Sequence, residues 1–170
     1  MNRSGVVDDV TYVEKVTSKK TELLFLGLAL LFLLLALWRV NATGPGTLTT
    51  LLLAAFLFFL FYTLNYRTLT IHLTPQELRL RFGLFRWTIP LENVELFHQD
   101  DIPLGRIGGA GIHFSSFDRR YRAMFNFLEH PRVVVGLKEK RGPVRDVAFS
   151  TQQPEHVLAL LRMYTAKYGG

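Results

Sequence analysis

The sequence predicts an α+β membrane protein: an antiparallel two-helix transmembrane hairpin, then a small β-rich domain that closes with a helix. Three observations predict it. Leu23 to Trp38 runs for 16 residues without a charge, and Val40 to Tyr66 for 27. Each is close to the roughly 20 helical residues that cross a hydrocarbon core of about 30 Å. Downstream, apolar residues recur with period two, as half-buried strands require, and the last segment changes to the helical period.

Composition narrows the function classes. The chain has no cysteine, which removes disulfides, thiolate catalysis and Cys-ligated metal sites. Neither apolar run contains Asp, Glu, Lys, Arg or His. Transport and proton relay use ionisable groups inside the bilayer, so a hairpin without them reads as an anchor or a packing surface. The net charge of +6 is concentrated after the second run, where 67–170 carries 15 Lys and Arg against 10 Asp and Glu. A mildly basic domain suits an anionic membrane surface or an acidic partner. The basic residues are scattered and match no nucleic-acid motif, so no nucleic-acid partner is expected.

The chain divides into an N-terminal segment, 1–22, the helical hairpin, 23–66, and the β-rich domain, 67–170. Segment 1–22 reads equally as an interfacial helix carrying Val10, Val13 and Val16, as an added strand in "VTYVEKV", or as a partly ordered tail. The spans are expected at about 23–40 and 48–64. Trp38 and Arg39 suit one interface, and Tyr62, Tyr66 and Arg67 the other. "NATGPGT", 41–47, holds two glycines and a proline that stop a helix, and so short a turn makes the spans antiparallel neighbours. A cleaved signal peptide fits poorly, because its leading region would be long and mixed in charge. Lys15, Lys19 and Lys20 before the first span and Arg67, Arg79 and Arg81 after the second outweigh Arg39 in the turn. The positive-inside rule then places both termini in the cytoplasm of an inner-membrane protein.

Strand signals begin at once. In 68–73 Leu69, Ile71 and Leu73 alternate with polar residues, and in 77–82 Leu78, Leu80 and Phe82 do the same around a Thr74-Pro75-Gln76 turn. Further strands are expected at 85–89, 94–98, 110–115, 132–137 and 144–149, about seven in all. Pro154 suits the first turn of a helix. Val157, Leu160, Leu161, Tyr164 and Tyr168 then form one stripe that must pack on a sheet, and Gly169 ends it.

Three stretches invite chemistry. "FDRRYRAMFNF", 117–127, sets Arg119, Arg120 and Arg122 among Tyr121, Phe125 and Phe127. Guanidinium groups bind phosphate bidentately, so Arg119, Arg120, Tyr121 and Arg122 are the candidate lipid or acidic-partner contacts. The alternative is an inter-strand loop with solvated charges. "GRIGGAG", 105–111, lacks the Lys-Ser/Thr and the following helix of a phosphate loop. "FHQDD", 97–101, has no second ligand pair at metal spacing, and turn chemistry before Pro103 explains its acids. No metal, cofactor or catalytic residue is expected.

Strands ordered in this way and capped by a C-terminal helix resemble the pleckstrin-homology plan. Carried on a helical hairpin, the chain is similar to the bacterial pleckstrin-homology-like (PH-like) membrane proteins. The likeness rests on "LTIHLTPQELRLRFGLFRWTIPLENVE", on "GGAGIHF" and on "VVVGLKEKRGPVRDVAFSTQQPEHVLALL". It implies an antiparallel β-barrel or sandwich of about seven strands and a binding module with no shared catalytic residues. The expected function is therefore non-enzymatic binding or scaffolding, with an accessory subunit of a larger membrane complex as its specific form. Recognition of anionic lipid headgroups at the inner leaflet is the alternative, and a membrane enzyme of unfamiliar type the remote one. Expected partners are membrane lipids and other membrane proteins or further copies of the chain.

Overall fold

The computed structural model describes residues 11–117 and 120–168. Strand β1, Tyr12–Thr17, leads into helix α1, Lys19–Thr43, which turns through Gly44 into helix α2, Thr47–Asn65. Strands β2, Thr68–Leu73, β3, Glu77–Phe82, and β4, Phe85–Pro90, follow as a meander. A 3-10 turn at Leu91–Asn93 leads to β5, Val94–Asp100, and the short helix α3, Leu104–Ile107. Strands β6, Gly111–Phe117, β7, Arg120–Asn126, β8, Arg132–Arg141, and β9, Val144–Ser150, precede helix α4, Pro154–Tyr168.

Both long helices are apolar enough to cross a membrane, and they pack antiparallel on each other. Ser18 starts α1 by accepting a hydrogen bond from the Thr21 amide at 3.1 Å, a side-chain N-cap. Gly44 ends it with φ 80°. Ala29 and Ala36 are buried on α1, and their small side chains leave room for the second helix. Most of the remaining helix surface is exposed Leu and Phe.

Among the described residues the strands form two separate sheets. The first has the order β1-β2-β3-β4, and the second β5-β8-β9-β7-β6. One core draws Leu69, Ile71, Leu73, Leu78, Leu80 and Phe82 from the first sheet and Val133, Val135, Val147 and Phe149 from the second. Val157, Leu160, Leu161 and Tyr164 of α4 complete it. The alternation expected for β2 and β3 and the stripe expected for α4 are therefore present. The Tyr168 side chain and Gly169 lie outside what is described.

The architecture differs from a seven-stranded antiparallel barrel in three ways. Among the described residues no strand pair joins the two sheets, so no barrel closes. Strands number nine among the described residues, because β1 and β7 are added. Residues 12–17 take the strand conformation of the readings open to them, while Val10 lies outside the described residues. β7 replaces the expected inter-strand loop and pairs with β9 in parallel, Tyr121 opposite Val144 and Phe125 opposite Phe149. A parallel pair of this kind needs a crossover connection, which β8 supplies.

The order of β1 and β2 is the central feature. They pair antiparallel from Tyr12 opposite Leu73 to Thr17 opposite Thr68. The whole helical hairpin is thus an insertion between two neighbouring strands of one sheet. Two short connections, Ser18 on one side and Tyr66-Arg67 on the other, link it to the ladder.

Candidate functional site

The junction between hairpin and sheets is built from interactions of several kinds. Thr21 on the first turn of α1 accepts from the Leu128 amide at 3.2 Å, and the His130 ring lies 2.8 Å from the Thr17 carbonyl. Lys20 faces Glu129 at 3.9 Å, and Arg67 pairs with Glu22 at 3.0 Å. At the end of α2, the Asn65 side-chain oxygen accepts from the Leu84 amide at 2.9 Å. Gly83 makes this approach possible. Its φ is +59°, and a Cβ there would stand 2.1 Å from the Asn65 carbonyl oxygen.

An aromatic column crosses the junction. Phe32 stacks on Phe59 at 5.4 Å, and Phe59 lies 6.5 Å from Phe25, which meets Tyr62 at 5.3 Å. Tyr62 contacts Tyr66 at 4.4 Å, Tyr66 meets Phe82 edge-on at 4.9 Å, and Phe82 meets Phe127 at 5.1 Å. Tilted and edge-to-face pairs at such distances contribute beyond the apolar area they bury. A packed path therefore runs from the middle of the hairpin to the core of the sheets. Gly111 lets β6 approach the same column, with Tyr62 and Phe25 filling the space beside it.

The second constellation is a charge network on the second sheet. Arg120 donates to Asp146 at 2.9 Å and to Glu95 at 3.3 Å. Arg122 stands 3.6 Å from both Asp146 and Asp100. Arg132 donates to Asp100 at 2.9 Å and to the Ile102 carbonyl. Asp100, Arg122, Arg132 and Asp146 are all buried. Burial opposes the charge on Arg120, but Asp146 and Glu95 outweigh it and hold the guanidinium pKa above its ordinary value. Guanidinium and carboxylate alternate through three of each, which offsets the desolvation that any one of them would suffer alone. The network ties β5, β7, β8 and β9 together.

The candidate residues fare differently. Arg119 lies outside the described residues. Arg120 and Arg122 are on β7, facing carboxylates of this chain. Tyr121 is partly exposed and stacks on Phe114 at 5.8 Å. Trp38 is exposed near the far end of α1, and Arg39 is half-buried there. Tyr62 and Tyr66 belong to the column, with Tyr66 buried rather than turned outward. Arg67 is the exposed partner of Glu22. Sequence reasoning missed Asp100, Arg132 and Asp146 as one unit. A sign was there: Asp146 sits in "VRDVAFS", a strand that is otherwise almost wholly buried.

Asp100 also accepts from the Ile102 amide at 3.2 Å, the turn bond anticipated before Pro103. Residues 105–111 form the end of α3 and a glycine-rich entry to β6, with Gly108, Gly109 and Gly111 at positive φ. Among the described residues, no three His, Asp or Glu side chains are gathered where a metal ion would be held. No protein-family model matches the chain, and no curated protein or solved structure matches it either.

Proposed function

We propose that the chain is a non-enzymatic platform, held against the inner face of a membrane by α1 and α2, that binds or scaffolds other membrane proteins as an accessory subunit. The observation that carries this reading is the insertion of the apolar hairpin between β1 and β2, whose paired ends leave the sheets little freedom to turn relative to the helices. A flexible tether suits searching, whereas this mount suits presenting one fixed face. Lys15, Lys19, Lys20 and Arg67 cluster at one end of the hairpin, with Arg39 at the other, which favours a cytoplasmic domain. The long outward faces of the helices, with Leu23, Leu51, Leu57 and Leu64 all more than half exposed, provide surface for neighbouring spans. The resemblance of the sequence to PH-like membrane proteins supports the binding role, and the meander, the second sheet and the closing helix are compatible with it. The parallel β7–β9 pair departs from that plan.

Gentle extraction from native membranes, followed by measurement of assembly mass, tests the reading. A discrete complex of defined stoichiometry supports it. A monomer carrying only lipid contradicts it. A single-turnover reaction of the purified chain, abolished by a point substitution, would sink the non-enzymatic part. The alternative, headgroup recognition, is favoured by a different group of cations from the one on β7.

A further inference from the structure

The outer face of the first sheet carries a row of cations beside the hairpin. In register across the four strands stand Lys15, Thr70, Arg81 and Arg86, and all three cations are exposed. Arg81 is directly opposite Arg86. Like charges in that relation destabilise a sheet unless something of opposite sign offsets them. Among the described residues, none of the three has a carboxylate within ion-pair distance, whereas neighbouring Arg67 and Arg79 are matched by Glu22 and Glu77. Among the described residues the row is thus an uncompensated positive site beside arginines that are paired.

The β3–β4 turn joins this row to the helix ends. The bond from Leu84 to Asn65 fixes the tip beside the last turn of α2, and the Arg81 Nε donates to the Gly83 carbonyl at 3.2 Å. Leu84 is 80% exposed, more than any other large apolar side chain described, and Phe85 beside it is 47% exposed. Leu64, on the last turn of α2, is 66% exposed. Leu84, Phe85 and Leu64 thus leave exposed apolar surface together where the sheet meets the end of α2. The Lys15–Thr70 rung lies two residues beyond the Thr17–Thr68 rung that meets the helices, about 7 Å along the strand. A headgroup layer is about 5–8 Å thick on each side of the hydrocarbon.

We propose that the β3–β4 tip docks onto the bilayer that α1 and α2 cross. Leu84 enters the acyl boundary, and Lys15, Arg81 and Arg86 hold the phosphates of anionic lipids. The assignment rests on the reading that the two helices span a membrane. Arg81 and Arg86 provide planar donors for phosphate oxygens, and a shared phosphate relieves their mutual repulsion. Each basic residue near an anionic leaflet is worth about fivefold in affinity, so the row discriminates strongly between anionic and neutral lipid.

The native chain has no cysteine, so L84C takes a single environment-sensitive dye on the full-length protein. The labelled chain is reconstituted in vesicles of phosphatidylcholine alone or with phosphatidylglycerol. Blue-shifted emission in the anionic vesicles, reversed by salt and absent in R81Q/R86Q, is the expected result. Identical, water-like emission in both overturns the docking. A shift produced by inorganic phosphate with neutral vesicles also overturns it, because the site would then serve a free anion. Alkaline carbonate separates the two readings: a chain released by it loses both the spans and the docking, whereas a retained chain with a wet Leu84 site loses only the docking. R86Q supplies a second readout. It raises the thermal midpoint in neutral micelles by removing the like-charge pair, and it loses the wild type's gain when phosphatidylglycerol is added. A variant that gains as much as the wild type from that lipid contradicts the assignment.

Discussion

Thr17 and Thr68 stand opposite each other on the last rung of the β1–β2 ladder, although the whole apolar hairpin separates them in the chain. The rung makes the first turn of α1 and the last turn of α2 extensions of two hydrogen-bonded strands. It also explains why period-two sequence resumes immediately after the second apolar run. The strand cannot wait for a linker, because its partner has already been placed by the other end of the hairpin.

Glu14 closes the same unit from a distance. Its buried carboxylate accepts from the hydroxyls of Tyr12, at 2.9 Å, and Thr151, at 2.5 Å, and from the Gln152 amide at 2.7 Å. The N-terminal strand is thereby fastened to the residues that lead into α4. Glu14→Ala is expected to lower stability by about 1–3 kcal/mol, the cost of leaving buried donors without a partner. Chemical unfolding of the purified chain in detergent measures it, with Glu14→Gln losing less because one acceptor oxygen remains.

The same contact predicts a pH response. Burial first, and then the hydrogen bond and charge of Glu14, raise the Tyr12 pKa above its ordinary value of 10.0. The folded state therefore keeps this proton at a pH where the unfolded state has lost it. Its contribution is full below the unfolded pKa and declines as pH rises above about 10. Tyr12→Phe should flatten that part of the stability profile, which thermal midpoints taken across the alkaline range will reveal.

Asp146 is the shared partner of Arg120 and Arg122. Asp146→Asn leaves the buried Arg122 short of a counter-charge, and a loss of about 3–5 kcal/mol is expected from breaking one side of a buried ion pair. If the network held little of the sheet together, the unfolding midpoint of the variant would match the wild type. Arg120→Gln should cost less, since that side chain is partly exposed.

Gly83→Ala forces a Cβ onto the Asn65 backbone and asks alanine to hold a left-handed conformation that costs roughly 1–2 kcal/mol by itself. The expected result is a destabilised chain in which the Leu84 amide loses its bond to Asn65. Hydrogen exchange at that amide reports the loss directly, and unchanged protection would contradict the role given to the glycine.

These residues also show what could be read beforehand. The β2–β3 hairpin and α4 were legible because each has one buried face, so periods of two and 3.6 stand out in Leu69–Phe82 and Val157–Tyr164. The turn between the apolar runs was legible through "NATGPGT", although α1 begins at Lys19 and runs on through Asn41 to Thr43 before Gly44 ends it. β7 was not, because "RYRAMFN" places a buried Arg122 where a core strand normally carries an apolar side chain. Its carboxylate partners lie on other strands, at Asp100 and Asp146. β1 was ambiguous for a related reason. A short strand is defined by its partner, and the partner of Tyr12–Thr17 comes only after both helices. Of the candidate site, the basic character of the domain was visible. The pairing of Arg120 and Arg122 and the cross-strand meeting of Lys15, Arg81 and Arg86 depend on register, which one sequence does not display.

The most direct test of the inserted hairpin is a cross-link across its base. In a chain with no native cysteine, T17C/T68C puts two thiols on strands whose facing Cα atoms are about 4.5–5.5 Å apart, within the range a disulfide spans. Mild oxidation in native membranes should join them in nearly all molecules, giving a mobility shift that reductant reverses. The pair T17C/T88C, on the two edge strands of the same sheet, should stay reduced. Two free thiols at 17 and 68 after oxidation, both open to maleimide, would mean that β1 and β2 are not neighbours and that the hairpin is not mounted on a common ladder.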